Sequence, residues 1–244
     1  MTGLETFQHQ LQKFDPGVVW LDQENHIYAL NSVAVEVLGA NAEDIIGKEI
    51  LQFHPEKSRG KVQWLLESSS CPVDSPPPMT MMINIPDRVL LIKVSKMLGK
   101  SAGEGLGTCM VFYDLTDVIT TPHLDAQSSD KPRLLFKLPV YQQNRVMLVS
   151  LDDVVHFKAE GHYTNVYTKN DQYLCNLSLS DLEERLEKEK FVRVHRSHMI
   201  NMNYAKLFEK VGDHCTIVMD MPGEVVIPVS RSKVKMLKTM LGLD

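Results

Sequence analysis

Two sets of side chains could do chemistry in this chain, and they lie in different halves. The first set is soft. His54 sits in FHPEKSR, Cys71 opens CPVDSPPPMTMMINIP, and Met79, Met81 and Met82 follow within that stretch. Imidazole, thiol and thioether groups are ligands for transition metals. The prolines between Cys71 and Pro86 exclude a helix and favour an extended backbone. A linker is normally polar, yet this stretch runs into Met81, Met82, Ile83 and Ile85. It reads as soft ligands on a stiff frame. The second set is made of hydrogen-bond donors. His195, Arg196, Ser197 and His198 stand together in FVRVHRSHMIN, with Asn201 at its end, and Arg231 and Lys233 lie in IPVSRSKVKMLK. His and Arg donate to phosphates, and Arg and Asn can make paired hydrogen bonds to base edges.

The elements that must position these residues follow from pattern. Phe7, Leu11 and Phe14 recur at helical spacing over residues 5–14. Val18–Leu21 and Ile27–Leu30 read as strands around a turn at Asp22–Asn25. Asn31 is placed to cap a helix over SVAVEVL that ends at Gly39, and a short helix around Ala42–Ile46 closes on Gly47. Pro55 precedes a helix over Glu56–Ser68, so His54 stands just before a helix start. MTMMINIP, RVLLIKVSKML and GTCMVFYDLTDV are strand-like. Residues 119–134 are polar with Pro122 and Pro132 and read as an interdomain linker. Beyond it, Arg145–Val149, Val154–Glu160, Tyr163–Thr168 and Gln172–Cys175 are strand runs. A single helix over Ser180–Lys188 is predicted there, with Ser180 and Glu183 as a capping box.

Bulk properties narrow the class. At 244 residues the chain has room for two domains with their own cores. No apolar run is long enough to span a bilayer and the start lacks a signal-peptide pattern, so the expectation is a cytoplasmic protein without a membrane segment. The four cysteines form no Cys-x-x-Cys pair and are expected to be free thiols. The net charge of −5 is uneven: residues 1–130 carry 9 Lys+Arg against 17 Asp+Glu, and residues 131–244 carry 17 against 14. An acidic front and a mildly basic back imply separate tasks. No acid/base constellation, nucleotide-binding glycine loop or phosphoacceptor helix stands out, so an enzyme is not expected.

The order of strands and helices up to the Asp114-Leu115-Thr116-Asp117 ending resembles a PAS domain. In the back half, SLDDVVHFKAEGHYTNVYT, LSDLEERL, FVRVHRSHMIN and IPVSRSKVKMLK together resemble a LytTR domain, a mainly β DNA-binding module. The resemblances imply an α+β protein: a PAS sensing domain over residues 1–118, a linker at 119–134 and a LytTR domain over 135–244. Carried over to this chain, the LytTR pattern puts His162, Asn201 and Arg231 near bases. It leaves His195, Arg196, Ser197 and Lys233 for the DNA backbone or for support of the fold. Ser232 departs from the pattern, which often has a second basic residue there.

Haem iron is held by His, Cys thiolate or Met, which suits the soft set. HPEKSR, CPVDSPPP, MMINIPDRVLLIKVSKM and FYDLTD, joined to a LytTR domain, resemble the RcoM family of haem-containing, carbon-monoxide-responsive transcription regulators. That resemblance implies haem b with CO as effector, double-stranded DNA as partner and a homodimer. It implies His54 as the permanent iron ligand, Cys71 opposite it in the ferric state, and Met81 in place of Cys71 on reduction, to be displaced by CO. Met82, Ile83 and Ile85 would line the pocket, and whether Met81 or Met82 faces the iron depends on strand register. The alternative is a regulator whose front domain binds another small ligand or mainly dimerises.

Overall fold

The computed structural model describes residues 15–39, 41–54, 56–68, 80–85, 88–98, 105–121, 133–142, 145–161, 163–212 and 214–242. The expected helix at residues 5–14, Cys71, the middle of the expected linker and His162 lie outside these. The chain divides into two compact units, Met1–Val118 and Ile119–Asp244. Among the described residues no helix is long and apolar enough to cross a membrane.

The front unit is a five-stranded antiparallel sheet in the order β2-β1-β5-β4-β3, built from β1 Gly17–Leu21, β2 Ile27–Leu30, β3 Thr80–Ile85, β4 Arg88–Leu98 and β5 Gly105–Asp114. Between β2 and β3 come α1 Ser32–Leu38, α2 Ala42–Ile45, a 3-10 turn Ile50–Phe53 and α3 Glu56–Ser68. Asn31 explains how the sheet and α1 are joined. Its Oδ1 accepts from Ala34 N–H as the helix cap and from Val18 N–H on β1. Gly39 ends α1 at φ 64°, a left-handed position that favours glycine. One side of the sheet packs on the helices. Val19 and Leu21 of β1, Leu90, Ile92 and Val94 of β4, and Met110 and Phe112 of β5 share a core with Ala34, Val37, Ile45, Val62, Leu65 and Leu66. The residues on each strand alternate by two, as a pleated sheet with one helix-covered face demands.

At the end of β5 the chain is tied back to β4. Asp114 accepts from Arg88 Nη1 at 2.7 Å and from Thr116 N–H at 2.9 Å, and Thr116 Oγ1 accepts from Val89 N–H at 2.8 Å. There α4, Thr116–Ile119, begins. The ends of the expected linker are not loose. Ile119 is fully buried, Thr121 N–H donates to Leu134 O, and Phe136 N–H donates to Ile119 O.

The rear unit is mainly β. A seven-stranded sheet runs β11-β12-β8-β9-β10-β6-β7, and a three-stranded sheet runs β13-β14-β15. The strands are β6 Lys137–Gln142, β7 Arg145–Ser150, β8 Val154–Glu160, β9 Tyr163–Thr168, β10 Gln172–Cys175, β11 Phe191–His195, β12 His198–Asn201, β13 Ala205–Val211, β14 His214–Met219 and β15 Val225–Val229. Two local expectations are corrected. The helix after β10 is α5, Leu179–Arg185, and its capping box is Ser178 with Asp181, because Ser178 Oγ accepts from Asp181 N–H while Asp181 accepts from Ser178 N–H. Glu183 is thereby left for another partner. The SRSKVKMLK phrase, left outside the single helix expected in this half, is a second helix, α6, Arg231–Met240. Val234, Leu237 and Leu241 recur at helical spacing and pack against the core shared by β11, β14 and β15.

Candidate functional sites

His54 follows directly on the 3-10 turn, which sets its ring direction. Its Nδ1 lies 2.9 Å from Ile50 O, and a carbonyl can only accept, so Nδ1 carries the hydrogen. The lone pair is therefore on Nε2. The residue is 6% exposed, and burial holds its pKa below the usual histidine value. The Ile50 bond acts the other way, and the charge of Arg59 lowers it further. Arg59 Nε donates to His54 O at 3.1 Å and fixes the backbone at the α3 start. A neutral imidazole with one nitrogen held by a backbone carbonyl is the form in which histidine binds iron or another metal. The donor chemistry at His54 thus fits a haem ligand.

The backbone register of β3 bears on the neighbouring methionines. Position 81 pairs with Ile92 and position 82 with Leu91; 83 pairs with Leu90 and 85 with Arg88. Opposite residues of an antiparallel pair share a face. Ile92 and Leu90 belong to the helix-covered core, so positions 81, 83 and 85 lie on that face and position 82 on the other. Among the described residues β3 is an edge of the sheet, bonded to β4 alone.

In the rear unit the HRSH residues form the tight turn between β11 and β12, closed by the pair His195 and His198. Arg196 is exposed at its tip. Ser197 Oγ lies between two rings, 2.8 Å from His195 Nδ1 and 3.0 Å from His198 Nδ1. Ser197 O accepts from Ala159 N–H on the neighbouring β8. Arg193 braces the turn from below. Its Nη1 donates to Ser180 Oγ and Glu183 Oε2 on α5, both at 3.1 Å, and its Nη2 donates to Arg196 O at 3.0 Å. The start of α6 is joined to the same strand, since Ser230 N–H donates to Val194 O at 2.8 Å. Exposed Arg231 and half-buried Lys233 therefore enter their helix beside His195.

Residues 144–242 match the LytTr DNA-binding domain family. Across 98% of its own length and 94% of the relative's, the chain is 49% identical to the heme-containing CO-sensing transcriptional regulator RcoM 1 of Paraburkholderia xenovorans strain LB400. The chain belongs to the RcoM family. It is 48% identical to RcoM 2 of the same organism over the same shares of both chains. It is 27% identical to the CO-responsive transcriptional regulator RcoM of Rhodospirillum rubrum, over 98% of this chain and all of that protein. The rear unit of this RcoM chain is thus a LytTR DNA-binding domain, and the protein is a regulator rather than an enzyme.

The structure places Asn201, expected near bases, in the interior of the rear unit. Asn201 is fully buried; its Nδ2 donates to Val154 O at 2.8 Å and its Oδ1 accepts from Asn203 N–H at 3.1 Å. Its amide closes β12 onto β8 and starts the following 3-10 turn. Arg196, assigned to a lesser role, is the exposed guanidinium at the turn. Two residues escaped sequence reading. Arg193 could have been found by alternation, because it stands between buried Val192 and Val194 on the polar side of β11. His156 gave no such signal. It is buried on β8, stacked on Tyr167 with ring centroids 4.2 Å apart, and its pKa is lowered to about 4 by burial first and by His198 and Lys158 next.

Proposed function

We propose that this RcoM-family chain is a haem-based carbon monoxide sensor that controls transcription through its LytTR domain. The observation that carries the reading is His54, a buried neutral imidazole whose Nδ1–H is held by Ile50 O and whose Nε2 is left as the ligand atom. The front unit, an antiparallel sheet with helices on one face, is read as a PAS domain. Haem b, when bound, supplies an iron that takes CO. His54 would hold the iron throughout, and Cys71 and Met81 would be the further ligands, Cys71 for the ferric and Met81 for the ferrous iron. The register of β3 supports Met81 over Met82, because position 81 shares the face of Leu90 and Ile92. By the same register Ile83 and Ile85 belong to the pocket side and Met82 does not.

The residues of the chain supply the switch. A neutral thioether is a weak enough ligand to be displaced. Releasing Met81 frees β3, which among the described residues has a neighbour on one side only. The strand paired with it, β4, is tied through Arg88 and Val89 to Asp114 and Thr116, where the chain leaves the front unit. A shift of β3 therefore reaches the exit of the sheet through named hydrogen bonds. It biases a two-state element rather than pushing a single wire. On the DNA side, Arg196 at the turn and Arg231 and Lys233 at the start of α6 meet the duplex, with His195 and Ser197 beside them and His162, which directly precedes β9 in the sequence, as a further contact. Two chains act together as a homodimer, so that two equal turns meet two half-sites.

The deciding experiment measures DNA affinity of the ferrous protein with and without CO, alongside its absorption spectrum. CO is expected to shift the Soret band and tighten binding. Equal affinity with and without CO, despite a shifted Soret band, sinks the switch. Colourless protein from haem-replete cells sinks the haem reading. Sedimentation of the purified chain tests the dimer.

A further inference from the structure

The turn between β11 and β12 contains a proton count with one solution. Ser197 Oγ is within hydrogen-bond distance of His195 Nδ1 at 2.8 Å and of His198 Nδ1 at 3.0 Å. A hydroxyl has one proton and two lone pairs, so it donates to at most one of these nitrogens and can accept from either. The backbone decides which. Ser197 N–H is directed at His195 Nδ1, 3.3 Å away. A nitrogen approached by an N–H cannot itself carry a hydrogen along that line. His195 Nδ1 is therefore the acceptor, for the backbone N–H and for the hydroxyl. His198 Nδ1 then holds the hydrogen and donates to Ser197 Oγ. Neither Nε2 atom is among the buried side-chain atoms left unpaired in the described residues.

We propose that Ser197 is a positioning residue that locks His195 in its Nε2–H form, so that the turn offers the duplex one fixed, neutral, directional donor beside Arg196. The proposal rests on the DNA-binding reading and adds what the turn presents. A free neutral histidine exchanges its hydrogen between the two nitrogens, and half of its orientations would aim a lone pair at a phosphate or base acceptor. The lock removes that loss. A neutral donor releases no counterion, so its contribution differs from that of Arg196 in having no salt slope.

The lock is read directly by nitrogen-15 NMR of histidine-labelled full chain near pH 8, about 1.5 units above the usual histidine pKa of ~6.5. His195 is expected with bare Nδ1 and protonated Nε2, and His198 with the reverse. Ser197→Ala should return both rings to mixtures, and Ser197→Thr, which keeps the hydroxyl, should restore the wild-type signature. Protonated Nδ1 on His195 in the wild type overturns the lock. The purpose is tested with two substitutions. Glutamine places an N–H near Nε2, and asparagine places one near Nδ1. His195→Asn is expected to weaken specific DNA binding by about tenfold, the worth of roughly one hydrogen bond, and His195→Gln by several times less. Both should leave the salt slope as it was. Equal losses overturn the donor assignment. A wild-type chain that binds no duplex fails the DNA-binding reading itself, and the NMR signature in the free protein tells that failure from a wrong tautomer.

Discussion

The two sites in this molecule handle polar groups in opposite ways. At His54 one imidazole is sunk into an apolar core and satisfied by one local backbone carbonyl, Ile50 O. At the β11–β12 turn, Arg193, His195, Ser197 and His198 are held by a web of side-chain bonds while Arg196 points into solvent. The difference follows from what each site has to meet. An iron in a large apolar ring needs one lone pair of fixed direction in a dry place, because burial keeps the imidazole neutral. A duplex needs several donors of fixed direction at the surface, where phosphates arrive with their water and counterions. In the proposed function, burial would select the iron ligand in the front unit, and cross-bracing would fix the DNA donors in the rear.

The sharpest way to break this contrast is His54→Ala. Removing the one buried lone pair should abolish haem retention, read as loss of the Soret band, and the CO response of DNA binding with it. Specific binding by the rear unit should survive, because nothing at the turn depends on His54. Retained haem at wild-type content would move the ligand elsewhere and end the comparison on the front side.

A second pair of substitutions separates buried from exposed polar groups within the rear unit itself. Asn201→Ala strands Val154 O and the Asn203 N–H and should cost about 2–3 kcal/mol of stability in urea melts. Arg196→Ala should leave stability within about 0.5 kcal/mol yet weaken specific DNA binding by roughly 1–3 kcal/mol, with a shallower salt slope. If Arg196→Ala unfolds the domain, or Asn201→Ala weakens binding without destabilising it, the roles are exchanged.

Much of this was legible in the sequence where geometry is local. The Asn31 cap, the Gly39 stop and the helix Glu56–Ser68 each follow from a few adjacent residues, and so do β7 to β10 of the rear unit. What needed coordinates was non-local or degenerate. Ser178 and Ser180 are both followed three residues later by an acid, so sequence cannot say which pair caps α5; Arg193, thirteen residues from Ser180, takes Glu183 away. Position 81 or 82 depends on the partner strand β4, not on the methionines. Asn201 was expected near bases from the LytTR pattern and from the paired hydrogen bonds its amide can make, and only coordinates show that amide reaching Val154 O, 47 residues earlier. The helix α6 was hidden for another reason. Its charged residues were read only as DNA contacts, although Val234, Leu237 and Leu241 carried the helical period throughout.

The smallest effect tests whether burial alone tunes a histidine where no ligand is at stake. His156 has a folded pKa of about 4, set mainly by burial, against an ordinary value near 6.5 in the unfolded chain. Below about pH 6.5 the unfolded state takes up a proton that the folded state refuses. The neutral ring's stabilising contribution is therefore complete above that pH and is lost as the pH falls toward 4. The loss approaches about 1.4 kcal/mol per pH unit and totals roughly 2 kcal/mol between pH 7 and 5. Urea melts followed by far-ultraviolet circular dichroism should show it. His156→Phe keeps a flat ring against Tyr167 and cannot titrate, so its pH 7-to-5 loss should be smaller by about that amount. His54, also lowered by burial, adds a loss of the same sign in the front unit. Because Trp20 and Trp64 both lie there, tryptophan fluorescence follows that unit and dichroism follows both, and the His156→Phe difference should appear in dichroism alone.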